Sequence, residues 1–237
     1  MNILITGASV GFGAAMVNRF VKAGHQVIAA SRRIDRLKAL QKKLGSKVHP
    51  LKLDVSDKEQ VAKALASLPK KLGEIDVLIN NAGLALGMDP AHKTQLSDWE
   101  TMVDTNVKGL LYCTHAVLAG MVARNRGHVI NIGSVAGEFP YPGGNVYGGT
   151  KAFVHQFSLN LRADLLGTAV RVTCVEPGMC SGTEFSNVRL KGDKKKAEAV
   201  YQGVHALSAD DVAETVFWIS SRPAHVNINV ISMMPVQ

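Results

Sequence analysis

The strongest constraint in this sequence is a rhythm: short runs of Val, Ile and Leu alternate with longer stretches whose apolar residues recur every three to four positions. The apolar runs fall at residues 2–6, 26–30, 48–53, 75–80, 128–132 and 170–176, with a last one near 228–231. Helical stretches cover 14–23, 33–44, 61–68, 99–124, 145–166 and 210–220. Continuous apolar strands are those buried on both faces, and strands separated by helices pair in parallel. Right-handed crossovers then predict a doubly wound α/β sheet with helices on both faces. No internal repeat or low-complexity linker breaks the rhythm, so residues 1–237 are expected to form one domain. With 237 residues and a 46% hydrophobic composition, the chain can bury a full core, which excludes a disordered chain.

The segment 178–202 departs from the pattern. It is polar, contains Gly182 and Gly192, and carries Lys194-Lys195-Lys196. An irregular insertion after a strand is either a solvated loop or a lid. Its place beyond a strand's carboxyl end, where open α/β sheets bind ligands, favours a lid.

Lys and Arg number 27 against 19 Asp and Glu, a formal charge of +8. Such a surplus suits nucleic acid, an anionic small molecule or a solvated surface. Aromatic residues make up only 5% of the chain, and no reader motif or clustered basic helix is present, so a nucleic-acid partner is not expected. No run of about 18 apolar residues occurs, and no membrane span is expected. The first residues read directly into a strand, so no signal peptide is expected. Three cysteines without a CxxC pair suit a reducing cytoplasm. The eight histidines show no pair at three- or four-residue spacing, so no metal is expected.

Two features point to a phosphorylated cofactor. Thr6-Gly7-Ala8-Ser9-Val10-Gly11-Phe12-Gly13 joins the first strand to the first helix. Glycines there permit a tight turn and close backbone approach, and the helix that follows offers free N–H groups to a pyrophosphate. The spacing is G-x-x-x-G-x-G, not the G-x-G-x-x-G fingerprint. The second strand then ends in Ala30-Ser31-Arg32-Arg33, with no acid until Asp35. Dinucleotide sites for NAD place an acid at this point, whereas arginine accommodates the 2′-phosphate of NADP. Two arginines at a helix start oppose its dipole, which is a cost that an anionic ligand would offset. The expected cofactor is NADP(H).

Tyr147 and Lys151 are four residues apart on a helical stretch, so both project from one face. A free phenol with a pKa near 10 exchanges protons poorly at neutral pH, and an adjacent ammonium favours the phenolate. Gly133-Ser134 follows the fifth apolar run, where a hydroxyl can hold a substrate oxygen. Asn80-Asn81-Ala82-Gly83 ends the fourth run with small residues that allow a cofactor to approach.

These motifs, with Pro177-Gly178, resemble the classical short-chain dehydrogenase/reductase family in order and spacing across the whole chain. The resemblance implies a seven-stranded Rossmann sheet and hydride transfer between NAD(P) and a carbinol carbon. It makes Tyr147 the general acid/base and Ser134 the partner of the substrate oxygen. Lys151 is implied to lower the tyrosine pKa and bind the nicotinamide ribose. Asn106 matches the asparagine of the proton relay, and Asp54-Val55 the pair beside the adenine. Four residues separate Pro177-Gly178 from Thr183, the residue implied to lie at the carboxamide, where many relatives have three. The resemblance also implies a homotetramer built through 99–124 and 145–166.

Longer blocks at 80–93, 142–151 and 176–189 are most similar to the branch of NADP-dependent 3-hydroxy acid dehydrogenases. That branch acts on L-allo-threonine, serine and 3-hydroxypropionate and reduces malonic semialdehyde. A carboxylate substrate needs a cation, for which Arg189 and Lys191 are the candidates. Phe139, Met179 and Phe185 are candidates for apolar walls. The alternatives are a reductase of 3-oxoacyl thioesters or sugars, and a sensor that binds NADP without turnover, although a sensor tends to lose the Asn106, Ser134, Tyr147 and Lys151 set.

Overall fold

A computed structural model describes residues 1–236. The chain begins with β1 (Asn2–Thr6), α1 (Gly11–Lys22), β2 (Gln26–Ser31), α2 (Ile34–Leu44) and β3 (Val48–Lys52). There follow α3 (Lys58–Ala66), the single-turn α4 (Lys70–Gly73), β4 (Val77–Asn80), α5 (Leu96–Val103), α6 (Gly109–Ala123) and β5 (Gly127–Ile132). The last third holds α7 (Asn145–Asp164), β6 (Val170–Pro177), α8 (Phe185–Arg189), α9 (Lys194–Ala199), α10 (Ala209–Ser220) and β7 (Val230–Met233). Among the described residues the strands form a seven-stranded sheet in the order β3-β2-β1-β4-β5-β6-β7. Every neighbouring pair is parallel. The doubly wound α/β class expected from the sequence is the class observed. Strand order reverses at β1, which pairs with both β2 and β4, and a crevice opens at the carboxyl ends there.

Two apolar layers hold the sheet. On one face Met16, Val17 and Phe20 of α1 meet Val212, Val216 and Ile219 of α10. On the other, Cys113, Val117 and Met121 of α6 pack with Leu161 of α7 and Val61 of α3. Burying each large aliphatic side chain contributes about 1.5–3 kcal/mol, so these stripes fix which helix lies on which face. The sheet therefore presents the ends of β1, β2, β4, β5 and β6 along one edge with little freedom. No described helix is long and apolar enough to cross a membrane.

Three expectations need correction. The helix expected over 99–124 is α5 and α6 joined by a π-helical turn at Asp104–Lys108, a widening that periodicity does not register. The last strand begins at Val230, not near 228. Ahead of it, the Asn227 side chain accepts from Val172 N–H and donates to Val172 C=O, so a side-chain amide does the pairing that backbone does further on. The segment 178–202, expected to be irregular, contains α8 and α9, the latter capped by the Asp193 side chain.

Candidate active site

The turn after β1 depends on its glycines. Gly11 adopts φ +52°, and a Cβ on Gly13 would collide with the Gly7 carbonyl oxygen and drive α1 off the strand. Asn81 locks this turn from the end of β4, donating through Nδ2 to the carbonyls of Thr6 (2.8 Å) and Gly7 (3.3 Å). Thr6 Oγ1 in turn accepts from the backbone N–H of Asn81 and Ala82 at 3.0 Å. The side-chain amide of Asn81 is thereby committed to the protein, while Ala82 and Gly83 line the cleft with backbone. Ala8 and Gly13 stand behind the lining as packing residues.

Arg32 and Arg33 differ in their engagement. Arg33 donates through Nε and Nη2 to Ser9 Oγ (3.2 and 3.0 Å) and through Nη1 to Glu184 (2.7 Å). Arg32 is largely exposed, and Asp54 Oδ2 lies 4.0 Å from its Nη1. Its guanidinium is thus available to a phosphate beside a glycine turn that lines the same cleft.

The catalytic candidates converge at the ends of β5 and α7. Tyr147, Lys151 and Ser134 are all buried and all line the cleft. Lys151 Nζ donates to the Ile132 carbonyl (2.8 Å) and lies 5.8 Å from the centre of the Tyr147 ring. Asn106, in the π turn, sits one layer behind. Its Oδ1 accepts from Leu84 N–H (2.9 Å), and its Nδ2 donates to the Leu84 carbonyl (2.8 Å) and to Thr150 Oγ1 (3.0 Å). Thr150 Oγ1 donates on to the Tyr147 carbonyl (2.8 Å). The π turn is what aims this side chain at the segment after β4.

The phenol departs from the expectation of a lowered pKa. Burial pushes Tyr147 up to about 12, and the Ser134 hydroxyl and the Arg189 charge oppose that only in part.

Burial pushes the Lys151 ammonium down to about 8 from its usual 10.5. The unfolded chain therefore binds more protons than the folded one between about pH 8 and 10.5, and stability rises with pH across that window. Lys151→Met removes this dependence. Denaturant titrations should show the wild type gaining roughly 3 kcal/mol over the variant as pH rises through the window. Parallel pH curves for the two proteins would refute a depressed Lys151.

The segment after β6 contributes several residues to the cleft lining. Thr183 packs beside the Gly11 turn, and the Phe185 ring lies 5.6 Å from the Tyr147 ring. Arg189 donates to the carbonyls of Gly87 (3.1 Å) and Gly143 (3.2 Å), and its guanidinium carbon lies 5.6 Å from the Tyr147 ring centre. Pro177, Gly178 and Met179 also face the cleft. Lys191 does not line it and pairs with Asp98 at 2.7 Å. Phe139 is 62% exposed and no part of the wall. The lining of this cleft, about 630 Å³ in volume, includes Phe12, Arg32, Arg33, Asp54, Val55 and Arg189 from the expected set.

Sequence reasoning missed Leu84, Tyr141, Glu184 and Tyr201, which also line the cleft. It also missed a cluster of His155, Cys174 and Glu176, whose ligand-type atoms lie within 4.8 Å of one another. There His155 Nδ1 meets the fully buried Glu176 carboxylate at 2.6 Å, and Ser232 Oγ donates to its other oxygen. Residues from α7 and β6 make this cluster, so no local spacing announces it.

A crevice at the strand-order reversal with a glycine turn, an exposed arginine and a buried tyrosine, lysine and serine is a dinucleotide-binding architecture with acid–base groups in its lining. The short chain dehydrogenase family model matches residues 1–194, and the chain belongs to that family. It is 61% identical over 236 residues to the NADP-dependent 3-hydroxy acid dehydrogenase of Escherichia coli K12, covering all of this chain and 95% of that protein. It is 54% identical to the serine 3-dehydrogenase of Rhizobium radiobacter, over 99% of this chain and 93% of that one. Among solved structures it matches the closed form of a serine dehydrogenase complexed with NADP+. There the TM-score is 0.99 at 60% identity, over 100% of this chain and 95% of the other.

Proposed function

We propose that the protein is an NADP(H)-dependent dehydrogenase of small 3-hydroxy acids, reversible as a reductase of the corresponding 3-oxo acids or semialdehydes. The observation that carries the acid substrate class is Arg189. It is a cation in the cleft beside Tyr147 whose own hydrogen bonds go to backbone carbonyls, not to a carboxylate. The identities to the E. coli and Rhizobium enzymes support the same substrate class.

The residues present fit NADP. Arg32 is free to receive a 2′-phosphate, and the α1 N-terminus has no acid in its first turn to compete with a pyrophosphate. Asp54 and Val55 would hold the adenine, and Ala82, Gly83, Pro177, Gly178 and Thr183 the nicotinamide, all of them residues of the cleft lining. Bound NADP+ supplies the hydride acceptor and a positive charge near the phenol. In the oxidative direction Tyr147 Oη removes the hydroxyl proton, and Ser134 Oγ donates a hydrogen bond to the developing carbonyl oxygen. Lys151 holds the ribose side of the site and is protonated at neutral pH. Asn106 fixes the backbone at Leu84 against α7. Arg189 fixes the substrate carboxylate, and the segment 178–202 acts as the lid. The same reading makes the enzyme a cytoplasmic homotetramer joined through α6 and α7. Its three free cysteines are consistent with that compartment, and a monomer by light scattering would remove the tetramer.

The deciding experiment is a kcat/KM panel of 3-hydroxy acids, 3-oxo acids, thioesters and neutral alcohols with NADP and NAD. Small hydroxy acids with NADP should lead, and preference for thioesters or for NAD would overturn the reading. Within that panel, Arg32→Ser should weaken NADP binding about tenfold to hundredfold and leave NAD binding unchanged, the expected cost of one charged hydrogen-bonding partner.

A further inference from the structure

We propose that Glu184 is a positioning residue that latches the lid to the phosphate-binding corner of the cofactor site, holding Phe185 and Arg189 over the substrate. The proposal rests on the NADP and lid assignments above. Glu184 uses both carboxylate oxygens: Oε2 accepts from Arg33 Nη1 at 2.7 Å and Oε1 from Arg36 Nη1 at 2.6 Å. Arg33 is held on its other side by Ser9 of the glycine turn. One guanidinium thereby connects the turn, the end of β2 and the lid. These two arginines hold the Glu184 carboxyl below its usual range.

The position of Glu184 in the chain gives the pair its consequence. It immediately precedes α8, a helix of five residues, which is far too short to hold its own shape in water. α8 is located by the Ser186–Tyr201 hydroxyl contact at 2.6 Å and by what grips its two ends. At the start are Glu184 and Thr183, against α2 and the Gly11 turn. At the end are Arg189, on Gly87 and Gly143, and the bond from Gly87 N–H to the Arg189 carbonyl (2.8 Å). Phe185 lies between these grips, against Tyr147. Releasing the first grip leaves the lid hinged at the second, and the apolar cover over the phenol loosens. Charge balance points the same way. Arg33 caps the N-terminus of α2, Arg32 precedes it and Arg36 lies in its first turn, where the helix end disfavours cations. Glu184 neutralises part of that cluster and leaves Arg32, on the cleft side, for a phosphate.

Half-exposed ion pairs contribute little to global stability, so the latch is expected to appear in the lid and not in the melting temperature. Glu184→Gln cuts both links and Arg36→Gln one of them from the other side, and Arg36 does not line the cleft. Glu184→Gln should raise KM for the hydroxy acid about tenfold and Arg36→Gln by less, each more than it lowers kcat, with Tm held within about two degrees. NADPH affinity by fluorescence should stay within about threefold. The double variant should match Glu184→Gln, which already lacks both arginine partners, because partners in one interaction are not additive. Trypsin cleavage at Lys194–Lys196, with and without NADPH, should be faster in each variant than in the wild type. Equal cleavage rates, or additive KM effects in the double variant, would overturn the latch. Failure of the wild type to bind NADPH would instead overturn the cofactor assignment, and the trypsin rates without NADPH still decide the latch.

Discussion

Tyr147→Phe is expected to lower kcat by about 10³–10⁴-fold while NADPH binds as it does to the wild type. General acid–base catalysis by one positioned side chain contributes roughly 10²–10⁴-fold, and Tyr147 is a buried phenol whose ring lies 5.8 Å from Lys151 Nζ. Phenylalanine keeps the ring against Phe185 and removes only the oxygen, so the fold and the cover over the site persist. The pH profile carries a second expectation. Burial places the phenol at about 12 in the protein alone, and a base works only as the phenolate. Oxidation should therefore accelerate as pH rises above neutrality, and reduction should not. Steady-state rates in both directions with a fluorescence titration of NADPH test both points. Full activity in the variant, or an oxidation rate flat from pH 7 to 10, would remove Tyr147 from its role.

The parts of the site that could be read in advance are those encoded within a few residues of one another. Tyr147 and Lys151 share a helix face because four residues make about one turn, and Gly11 and Gly13 announce a turn no other residue type could make. Strands legible as apolar runs then determined that Ser134, Ala82 and Pro177 would end on one edge. What could not be read depends on pairs far apart in the chain. Glu184 meets Arg33 across 151 positions and His155 meets Glu176 across 21, and nothing in either neighbourhood predicts its partner. The role of Asn81 was similarly hidden. Its position beside the cofactor site was legible, but its commitment to Thr6 and Gly7 depends on β1 and β4 being neighbours. The π turn at Asp104–Lys108 was concealed for a different reason, since one added residue in a helix changes aim without disturbing hydrophobic periodicity. The upward shift of the Tyr147 pKa by burial was also hidden, because spacing reports proximity to Lys151 but not desolvation.

Arg189→Gln should lower kcat/KM for 3-hydroxy acids about 10²-fold or more and spare neutral alcohols with the same carbinol. Truncating one partner of a desolvated, hydrogen-bonded charge pair costs about 2–5 kcal/mol, and only a substrate with a carboxylate makes that pair. Glutamine can still reach one backbone carbonyl, which limits loosening of the Gly87 and Gly143 loops. The charge also acts on the base: Arg189 lowers the Tyr147 pKa, so its loss should move the alkaline rise in oxidation to higher pH for every substrate. The two effects separate in the data, one appearing as substrate discrimination at fixed pH and the other as a displaced profile common to acids and alcohols. Equal losses for acids and neutral alcohols at all pH values would mean that Arg189 serves only to hold α8 against Gly87 and Gly143. The carboxylate would then have to be bound elsewhere in the cleft, and the hydroxy-acid assignment would lose the residue on which it stands.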